Sequence, residues 1–381
     1  MKWRENATKL EPSLHFESRF SGIQLLVEDQ ASPLACVAHN VFGETPVYPN
    51  VAPILRKNQI LGLRNETLSV RISQLSPADV PRKQTCRSPD AIRSAWKVGK
   101  TMDLPENQNR PLNIAHRGAR SLAPENTLAA ARKGLEVGAD MWELDIQMTA
   151  DGELIVIHDS TLKRTSNVRE VFPSRKPWLV HEFTLDELRL LDFGSWFTEQ
   201  DPFGQIAAGM VTESDLADYA GEPVPTLREA LAFTLEHNWQ VNLEIKDLSE
   251  NPGHPPIVDK VVSLLHELDM VDQVLISSFH QDYLARVRKI DHKFATALLV
   301  SKPHPHPETL LRQLGAQAYH PRLSAFRPAD IALLHLQGCR VHIWNVNDRK
   351  TMQRLVRAGV DGIFTDFPQL LTSVLTSPDI S

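Results

Sequence analysis

Residues 141–159 read MWELDIQMTADGELIVIHD, in which two apolar runs flank the turn-forming pair Asp151-Gly152. Upstream, the apolar run LNIAHRG (residues 112–118) ends in a polar cluster, and residues 126–137 follow with the spacing of an amphipathic helix. This alternation of strand-like and helix-like segments continues to the end of the chain. Over residues 111–381 it predicts a TIM (β/α)8 barrel, whose usual length is about 250 residues. A doubly wound open sheet is the competing fold, but no GxGxxG turn follows the first strand.

One segment interrupts this alternation, between His158 and Thr226. It contains no clear βα unit and is too long for an ordinary βα loop. We therefore expect an insertion at about residues 160–225, after the His158-Asp159 motif and above the barrel. The insertion could be a cap that closes over a substrate, or an addition without a role in function.

The first 110 residues differ from the rest in pattern and charge. Strand-like runs are separated there by Asn, Gly and Pro, and residues 101–111 are typical of a linker. The segment carries a net charge of +4, against −10 for residues 111–381. We expect a small β-rich accessory region of unknown role over residues 1–110, or an arm that packs on the barrel.

The composition excludes several classes of protein. The formal net charge of −6 argues against a nucleic acid as the main partner. The three cysteines, Cys36, Cys86 and Cys339, form no disulfide or metal-binding pattern. Neither a signal peptide nor a transmembrane run is evident, so a cytoplasmic protein is expected, with peripheral membrane contact still possible.

Polar side chains mark the predicted carboxyl ends of four strands, where a barrel of this class carries its reactive groups. The pairs at these ends are His116 with Arg117, Glu143 with Asp145, His158 with Asp159, and Glu244 with Lys246. A spacing of two residues in a strand places both side chains on one face. The Glu143–Asp145 and Glu244–Lys246 pairs should therefore each point in one direction.

The Asp151-Gly152 pair predicts a hairpin with a two-residue turn. In that register Ala150 pairs with Glu153, and counting outward places Asp145 opposite His158. Directly opposed residues lie about 4.5 to 5.5 Å apart. The hairpin therefore predicts that a carboxylate and an imidazole meet at one site.

Three carboxylates, from Glu143, Asp145 and Glu244, should converge in one cleft, where repulsion would raise at least one pKa unless a cation lay among them. Oxygen ligands alone favour a hard ion, Mg²⁺ or Ca²⁺, over zinc. Arg117 and Lys246 add positive charge that suits a phosphoryl group, and the two histidines suit proton transfer near neutral pH. The constellation predicts metal-assisted cleavage of a phosphate ester with one divalent cation as cofactor.

At these residues the sequence resembles the glycerophosphodiester phosphodiesterase family. The similar segments, in the order of the family, are IAHRGARSLAPENT (114–127), WELDIQMTADGELIVIHDSTLKRTS (142–166), FTLDELRLLDFGSWF (183–197), VPTLREAL (224–231), NLEIKD (242–247), ISSFH (276–280), VHIWNVN (341–347) and AGVDGIFTDFP (358–368). Two departures are an insertion that is longer than usual through residues 201–223, and Asn345 in place of the commoner threonine. The first leaves open the selectivity for headgroup or lipid chain.

The resemblance implies a TIM barrel with an insertion, and a role for each site residue. By this resemblance His116 and His158 are the general acid and base, and Glu143, Asp145 and Glu244 bind the divalent metal. Arg117 and Lys246 hold the phosphate, and Phe279 and Trp344 line the substrate pocket. The expected activity is hydrolysis of glycerophosphodiesters, which are small-molecule substrates, to sn-glycerol 3-phosphate and an alcohol.

Two other functions are compatible with the sequence. A phospholipase-type relative would cleave lysophospholipids or phosphoinositides at a membrane, and the apolar side chains of residues 196–206 are consistent with that. A binding protein that has lost catalysis is less favoured, because every expected reactive group is present. The attacking group could be water, or the glycerol 2-hydroxyl acting through a cyclic phosphate.

Overall fold

The computed structural model describes residues 110–251, 254 and 256–377. The accessory region predicted over residues 1–110 lies outside these residues, apart from Arg110 itself. Within the described residues, eight parallel strands form a closed ring, because the first strand pairs with both the second and the last. The predicted TIM barrel is confirmed, and the open doubly wound sheet is excluded.

The ring is formed by β1 (Leu112–Ala115), β2 (Met141–Met148), β4 (Gln240–Ile245), β5 (Val274–Ser278), β6 (Ala295–Val300), β7 (Ala318–Pro321), β8 (Arg340–Ile343) and β9 (Gly362–Thr365). The remaining strand, β3 (Leu154–Val156), is antiparallel to β2 and lies outside the ring. Each strand of the ring is short and almost fully buried, as expected for parallel strands covered by helices.

Helices follow the strands around the outside of the ring. They are α1 (Leu128–Glu136), α6 (Leu227–Glu236), α7 (Pro256–Glu267), α8 (Gln281–Ile290), α9 (Pro307–Leu314), α10 (Pro328–His335), α11 (Arg349–Ala358) and α12 (Pro368–Leu375). Thr127, Thr226 and Asp348 cap three of them by accepting a hydrogen bond from a backbone N–H of the first turn. No helix of the described residues combines the length and the apolar character that a membrane-spanning helix requires.

The barrel has an inner and an outer apolar layer. The inner layer includes Ile114, Met141, Leu275, Ala297 and Phe364. The outer layer fills the space between strands and helices and consists of two large clusters, one around β2, β4 and α7 and one around β8, α11 and α12. Because residues alternate along β2, Trp142 and Leu144 belong to the outer layer while the residues between them face inward.

The hairpin register differs by one residue from the prediction. Ile146 lies opposite Val156 and Met148 opposite Leu154, and the Ile157 N–H donates to the carbonyl of Asp145. His158 is therefore not the direct partner of Asp145. The turn has three residues rather than two, with only Gly152 in the left-handed region at φ +84°, a conformation that a three-residue hairpin loop requires.

Residues 160–225 contribute no strand to the ring. They contain a short 3-10 helix, Val180–Glu182, and four short α-helices, α2 (Val168–Val171), α3 (Leu185–Leu188), α4 (Ser195–Gln200) and α5 (Glu213–Tyr219). An apolar cluster within this segment includes Leu162, Phe183 and Phe193 and joins Ile155 and Ile157 near β3. A second cluster packs Trp196, Phe197 and Tyr219 against the alanines after β1. The insertion is thus fixed to the barrel at two places.

Candidate active site

The three predicted carboxylates lie on two neighbouring strands. In the pairing of β2 with β4, Asp145 lies opposite Glu244, and Glu143 is two residues earlier on the same face of β2. One oxygen of each carboxylate lies within 4.8 Å of the others. All three side chains are buried, so the barrel holds a concentrated negative charge away from solvent.

The pKa values of the three acids are shifted in different directions. Burial, together with the charges of Asp145 and Glu244, raises the pKa of Glu143 well above its ordinary value. Burial also raises the pKa of Glu244, against the opposing effect of Lys246. Burial alone would raise the pKa of Asp145 too, but Lys246 and Arg117 outweigh it and lower that pKa. Without a bound cation, the state in which all three carboxylates are ionised is unfavourable in free energy.

This donor set fits a hard divalent cation. The ligand atoms are carboxylate oxygens, which Mg²⁺ and Ca²⁺ prefer. The Oδ1 atom of Asp145 is buried and has no hydrogen-bond donor among the residues that the structure describes; the Lys246 Nζ lies 3.4 Å from it. A cation among the three residues would complete the coordination of this oxygen and remove the repulsion that raises the pKa of Glu143.

Arg117 reaches the cluster through a strained turn at the end of β1. Its φ is +56° and that of Gly118 is +76°. A Cβ atom on Gly118 would lie 2.6 Å from the backbone of Ala130, so only glycine fits there. The turn directs the Arg117 backbone N–H to Oε2 of Glu143 at 2.8 Å and brings its Nε to 3.3 Å from Oδ2 of Asp145.

Lys246 follows β4 and lies on the other side of the acids. Its Nζ is 2.7 Å from Oε1 of Glu244 and 3.4 Å from Oδ1 of Asp145. These two carboxylates outweigh the effect of burial and raise the pKa of Lys246. Both predicted phosphate-binding cations are therefore charged at neutral pH and in contact with the acidic cluster.

His116, at the end of β1, is held by an aspartate from the neighbouring strand end. Its Nδ1 is 2.6 Å from Oδ1 of Asp366, which follows β9. Oδ2 of Asp366 accepts from the side-chain amides of Asn345 and Asn347, at 3.1 and 2.6 Å. His116 and nearby donors lower the pKa of Asp366 despite its burial, so Asp366 is ionised and accepts the proton of Nδ1. Nε2 is then the nitrogen that remains for proton transfer.

His158 has an equivalent arrangement after β3. Its Nδ1 is 2.7 Å from Oδ1 of Asp159, which is likewise kept ionised because its hydrogen bonds to His158 and Arg164 outweigh burial and lower its pKa. His158 adds to the effects of Lys246 and Arg117 that lower the pKa of Asp145, and it opposes the burial that raises the pKa of Glu244. The hairpin register that placed His158 directly opposite Asp145 was wrong, because Ile157 occupies that position, and the approach of His158 to the acidic cluster stays a prediction.

The two predicted aromatic residues meet at the mouth of the barrel. Phe279 follows β5 and Trp344 follows β8, and their rings pack edge to face with centroids 5.6 Å apart. Two strands separate β5 from β8, so this contact crosses the mouth. Trp344 Nε1 donates to the His320 carbonyl at 2.7 Å, while Phe279 is 40% exposed and available for contact with a ligand.

Several residues of the site were not assigned a role from the sequence. They are Glu125, Asn126, Arg120, Arg164, Asn347 and Asp366. Asn126 donates to Oδ2 of Asp145 at 2.9 Å and accepts from its backbone N–H. Asp366 could have been found, because it ends the last strand as the other site residues end theirs. The contacts of Arg164 and Glu125 join segments that no sequence periodicity relates.

Comparison with known proteins agrees with this geometry. The model of the Glycerophosphoryl diester phosphodiesterase family matches residues 116–370. The chain is 34% identical over 266 residues to a glycerophosphodiester phosphodiesterase of Caldanaerobacter subterraneus subsp. tengcongensis, an alignment that covers 70% of this chain and 98% of that protein.

Solved structures show the same likeness. An Oleispira antarctica phosphodiesterase, solved in complex with the product sn-glycerol-3-phosphate, superposes with a TM-score of 0.58 at 26% identity, covering 70% of this chain and 98% of that one. A glycerophosphodiester phosphodiesterase of Agrobacterium tumefaciens str. C58 gives 0.53 at 26% identity, covering 68% and 98%. Over residues 116–370, this chain therefore belongs to the glycerophosphoryl diester phosphodiesterase family and is a phosphoric diester hydrolase.

Proposed function

We propose that this protein hydrolyses glycerophosphodiesters to sn-glycerol 3-phosphate and an alcohol, with His116 and His158 as the acid–base pair. One divalent cation, Mg²⁺ or Ca²⁺, would be held by Glu143, Asp145 and Glu244. The observation that carries the proposal is that each histidine is paired through Nδ1 with an ionised aspartate, around a buried cluster of three carboxylates. The product bound by the Oleispira antarctica relative supports this choice of substrate.

Arg117 and Lys246 would bind and orient the phosphodiester. Both contact the acidic cluster, so an anionic phosphoryl group that binds beside this cluster would meet both positive charges. The guanidinium can donate two parallel hydrogen bonds to phosphate oxygens, whereas the ammonium acts as a point charge. When bound, the divalent cation would neutralise phosphate oxygens as a Lewis acid. Phe279 and Trp344 would form an apolar wall at the mouth for the rest of the substrate.

The histidines would move the protons. With Nδ1 donating to its aspartate, each imidazole offers Nε2, as an acceptor when neutral and as a donor when protonated. One histidine would remove the proton from the attacking hydroxyl and the other would protonate the departing alcohol. The same pair serves water or the glycerol 2-hydroxyl as the attacking group. Accumulation of a cyclic phosphate would identify the second.

The test is an assay of sn-glycero-3-phosphocholine with chelator, with Mg²⁺ and with Ca²⁺. We expect equal amounts of sn-glycerol 3-phosphate and choline, complete loss with chelator, and recovery with at least one of the two ions. Glu143→Gln should abolish the recovery, while Glu236→Gln, at an exposed position of α6, should leave it intact. Turnover that persists with chelator would contradict the cation site.

A further inference from the structure

Glu125 is a buried carboxylate that three arginines surround. Its side chain is 2% exposed, and its oxygens lie 2.7 Å from Arg117 Nη1, 2.8 Å from Arg120 Nη2 and 2.7 Å from Arg164 Nη2. Burial would raise the pKa of Glu125, but Arg117, Arg164 and Arg120 lower it to about 2. Three guanidinium groups thus share one permanent negative charge.

Arg164 connects Glu125 to His158. Its guanidinium forks to both oxygens of Glu125, at 2.7 and 2.9 Å, and to both oxygens of Asp159, at 2.7 and 3.0 Å. Asp159 in turn fixes Nδ1 of His158. Arg164 belongs to the insertion, so the insertion reaches one catalytic histidine through two successive carboxylate contacts.

Arg120 connects Glu125 to His116. Besides its contact with Glu125, its Nη1 lies 3.8 Å from Oδ1 of Asp366, the oxygen that holds Nδ1 of His116. The ring of Phe203, from the insertion, covers the Arg120 guanidinium at 5.2 Å and packs edge to face on Phe367 at 5.6 Å. The insertion therefore also contacts the support of the second histidine.

We propose that Glu125 is a positioning residue that, through Arg164 and Arg120, fixes the positions of both histidine–aspartate pairs. In this proposal the insertion restrains both arginines, because it contributes Arg164 itself and the ring of Phe203 that covers Arg120. The inference rests on the proposed acid–base roles of His116 and His158. A guanidinium that donates to two carboxylates at once fixes their separation, because its donors have a rigid planar geometry. The insertion then has a role in catalysis and is not only an addition to the barrel.

Coupled mutations test the link between Arg164 and His158. Arg164→Ala should lower kcat on sn-glycero-3-phosphocholine by about 10- to 100-fold, the effect of a misplaced catalytic group, with KM changed by less than about 3-fold. In the His158→Ala background the same substitution should change kcat by less than about 2-fold, because there is no imidazole left to position. Arg164→Lys keeps the charge but cannot donate to Glu125 and Asp159 at once as the guanidinium does. Its effect on kcat should depend on His158 in the same way, and it replaces Arg164→Ala in the test if that variant does not fold.

The link between Arg120 and His116 provides a second, independent test of the positioning network. Arg120→Ala should lose its effect in His116→Ala and keep it in His158→Ala, while Arg164→Ala should show the reverse. Arg189→Ala is the matched control, since Arg189 also lies in the insertion and pairs with a carboxylate, Glu229 at 2.6 Å. Its side-chain contacts within the described residues are with Glu229 and the Val224 carbonyl, not with the aspartates that hold the histidines. It should leave kcat within about 2-fold of wild type in every background.

The outcomes separate this inference from the proposed function. If His158→Ala and His116→Ala retain wild-type turnover, the proposed acid–base roles are wrong. If both histidine variants are impaired but Arg164→Ala and Arg120→Ala lower kcat equally in all backgrounds, the roles stand and the positioning network is wrong. If the effect of only one arginine substitution depends on its histidine, positioning is limited to that histidine, and the claim that Glu125 serves both histidines is wrong.

Discussion

A proton given by an imidazole to a departing alcohol matters most when that alcohol is a weak acid. Choline is a poor leaving group that needs the general acid, and the attacking hydroxyl needs the base, so both His116→Ala and His158→Ala should lower kcat on sn-glycero-3-phosphocholine by about 10²- to 10⁴-fold. An aryl diester such as bis(p-nitrophenyl) phosphate releases a phenolate that needs little protonation. On that substrate the variant that lacks the general acid should lose far less activity than the variant that lacks the base.

The ratio of kcat on the two substrates, measured for both variants, assigns the acid and the base. His304→Ala is the control, because His304 lies on the loop after β6 and, within the described part of the chain, its Nδ1 accepts only from the backbone N–H of His306. It should behave as wild type on both substrates. Equal losses on both substrates for both histidine variants would mean that neither protonates the leaving group.

At the scale of single elements, the turn after β1 sets the position of two site residues at once. Gly118→Ala should destabilise the protein by about 3 kcal/mol, because the residue has a positive φ and its Cβ would overlap the backbone of Ala130. It should also reduce kcat, since Arg117 and His116 precede it directly. Denaturant unfolding and steady-state kinetics measure the two effects.

Gly338→Ala is the matched control for this turn. Gly338 also has a positive φ, +71°, but a Cβ there would have no atom of the described residues within 4 Å. Its cost should be about 1 kcal/mol, with kcat unchanged. Equal costs at Gly118 and Gly338 would show that the contact with Ala130 contributes nothing and that only the backbone conformation matters.

The same elements show what the sequence could predict. Polar residues at strand ends were sufficient to predict that Glu143, Asp145 and Glu244 converge, because the ends of parallel strands meet at one face of a barrel. The hairpin register could not be read from Asp151-Gly152, since the pair fits a two-residue turn and also a three-residue loop in which glycine alone has a positive φ. The two readings differ by one position along the whole ladder.

At the scale of the whole molecule, the repeated βα units are the part of the structure that the sequence predicts. Each βα unit carries its own periodic signal, so the barrel could be inferred unit by unit. The contacts of Glu125 with Arg164, and of Arg120 with Phe203, join the insertion to the turn after β1 across 39 residues in the first case. They depend on how the insertion folds back, which is set by its packing against the barrel and not by any local pattern.

Two histidines, one on β7 and one on β8, form a buried pair inside the barrel. Nε2 of His320 lies 3.0 Å from Nδ1 of His342, and neither side chain is exposed. Burial lowers the pKa of His342 to about 4, with Asp361 opposing and Arg340 adding to the effect. Burial and the charge of His342 also lower the pKa of His320 well below its ordinary value.

This pair should make the fold sensitive to acid. Between about pH 6.5, where an unfolded histidine titrates, and about pH 4, the unfolded chain binds a proton at position 342 that the folded protein does not. Stability is therefore lost as the pH falls through this range, and His342 alone accounts for about 3 kcal/mol. His342→Gln should reduce the pH dependence of the free energy of unfolding, measured in urea, by that amount. His292→Gln, at an exposed position, should not, and an unchanged dependence in His342→Gln would place the acid sensitivity elsewhere.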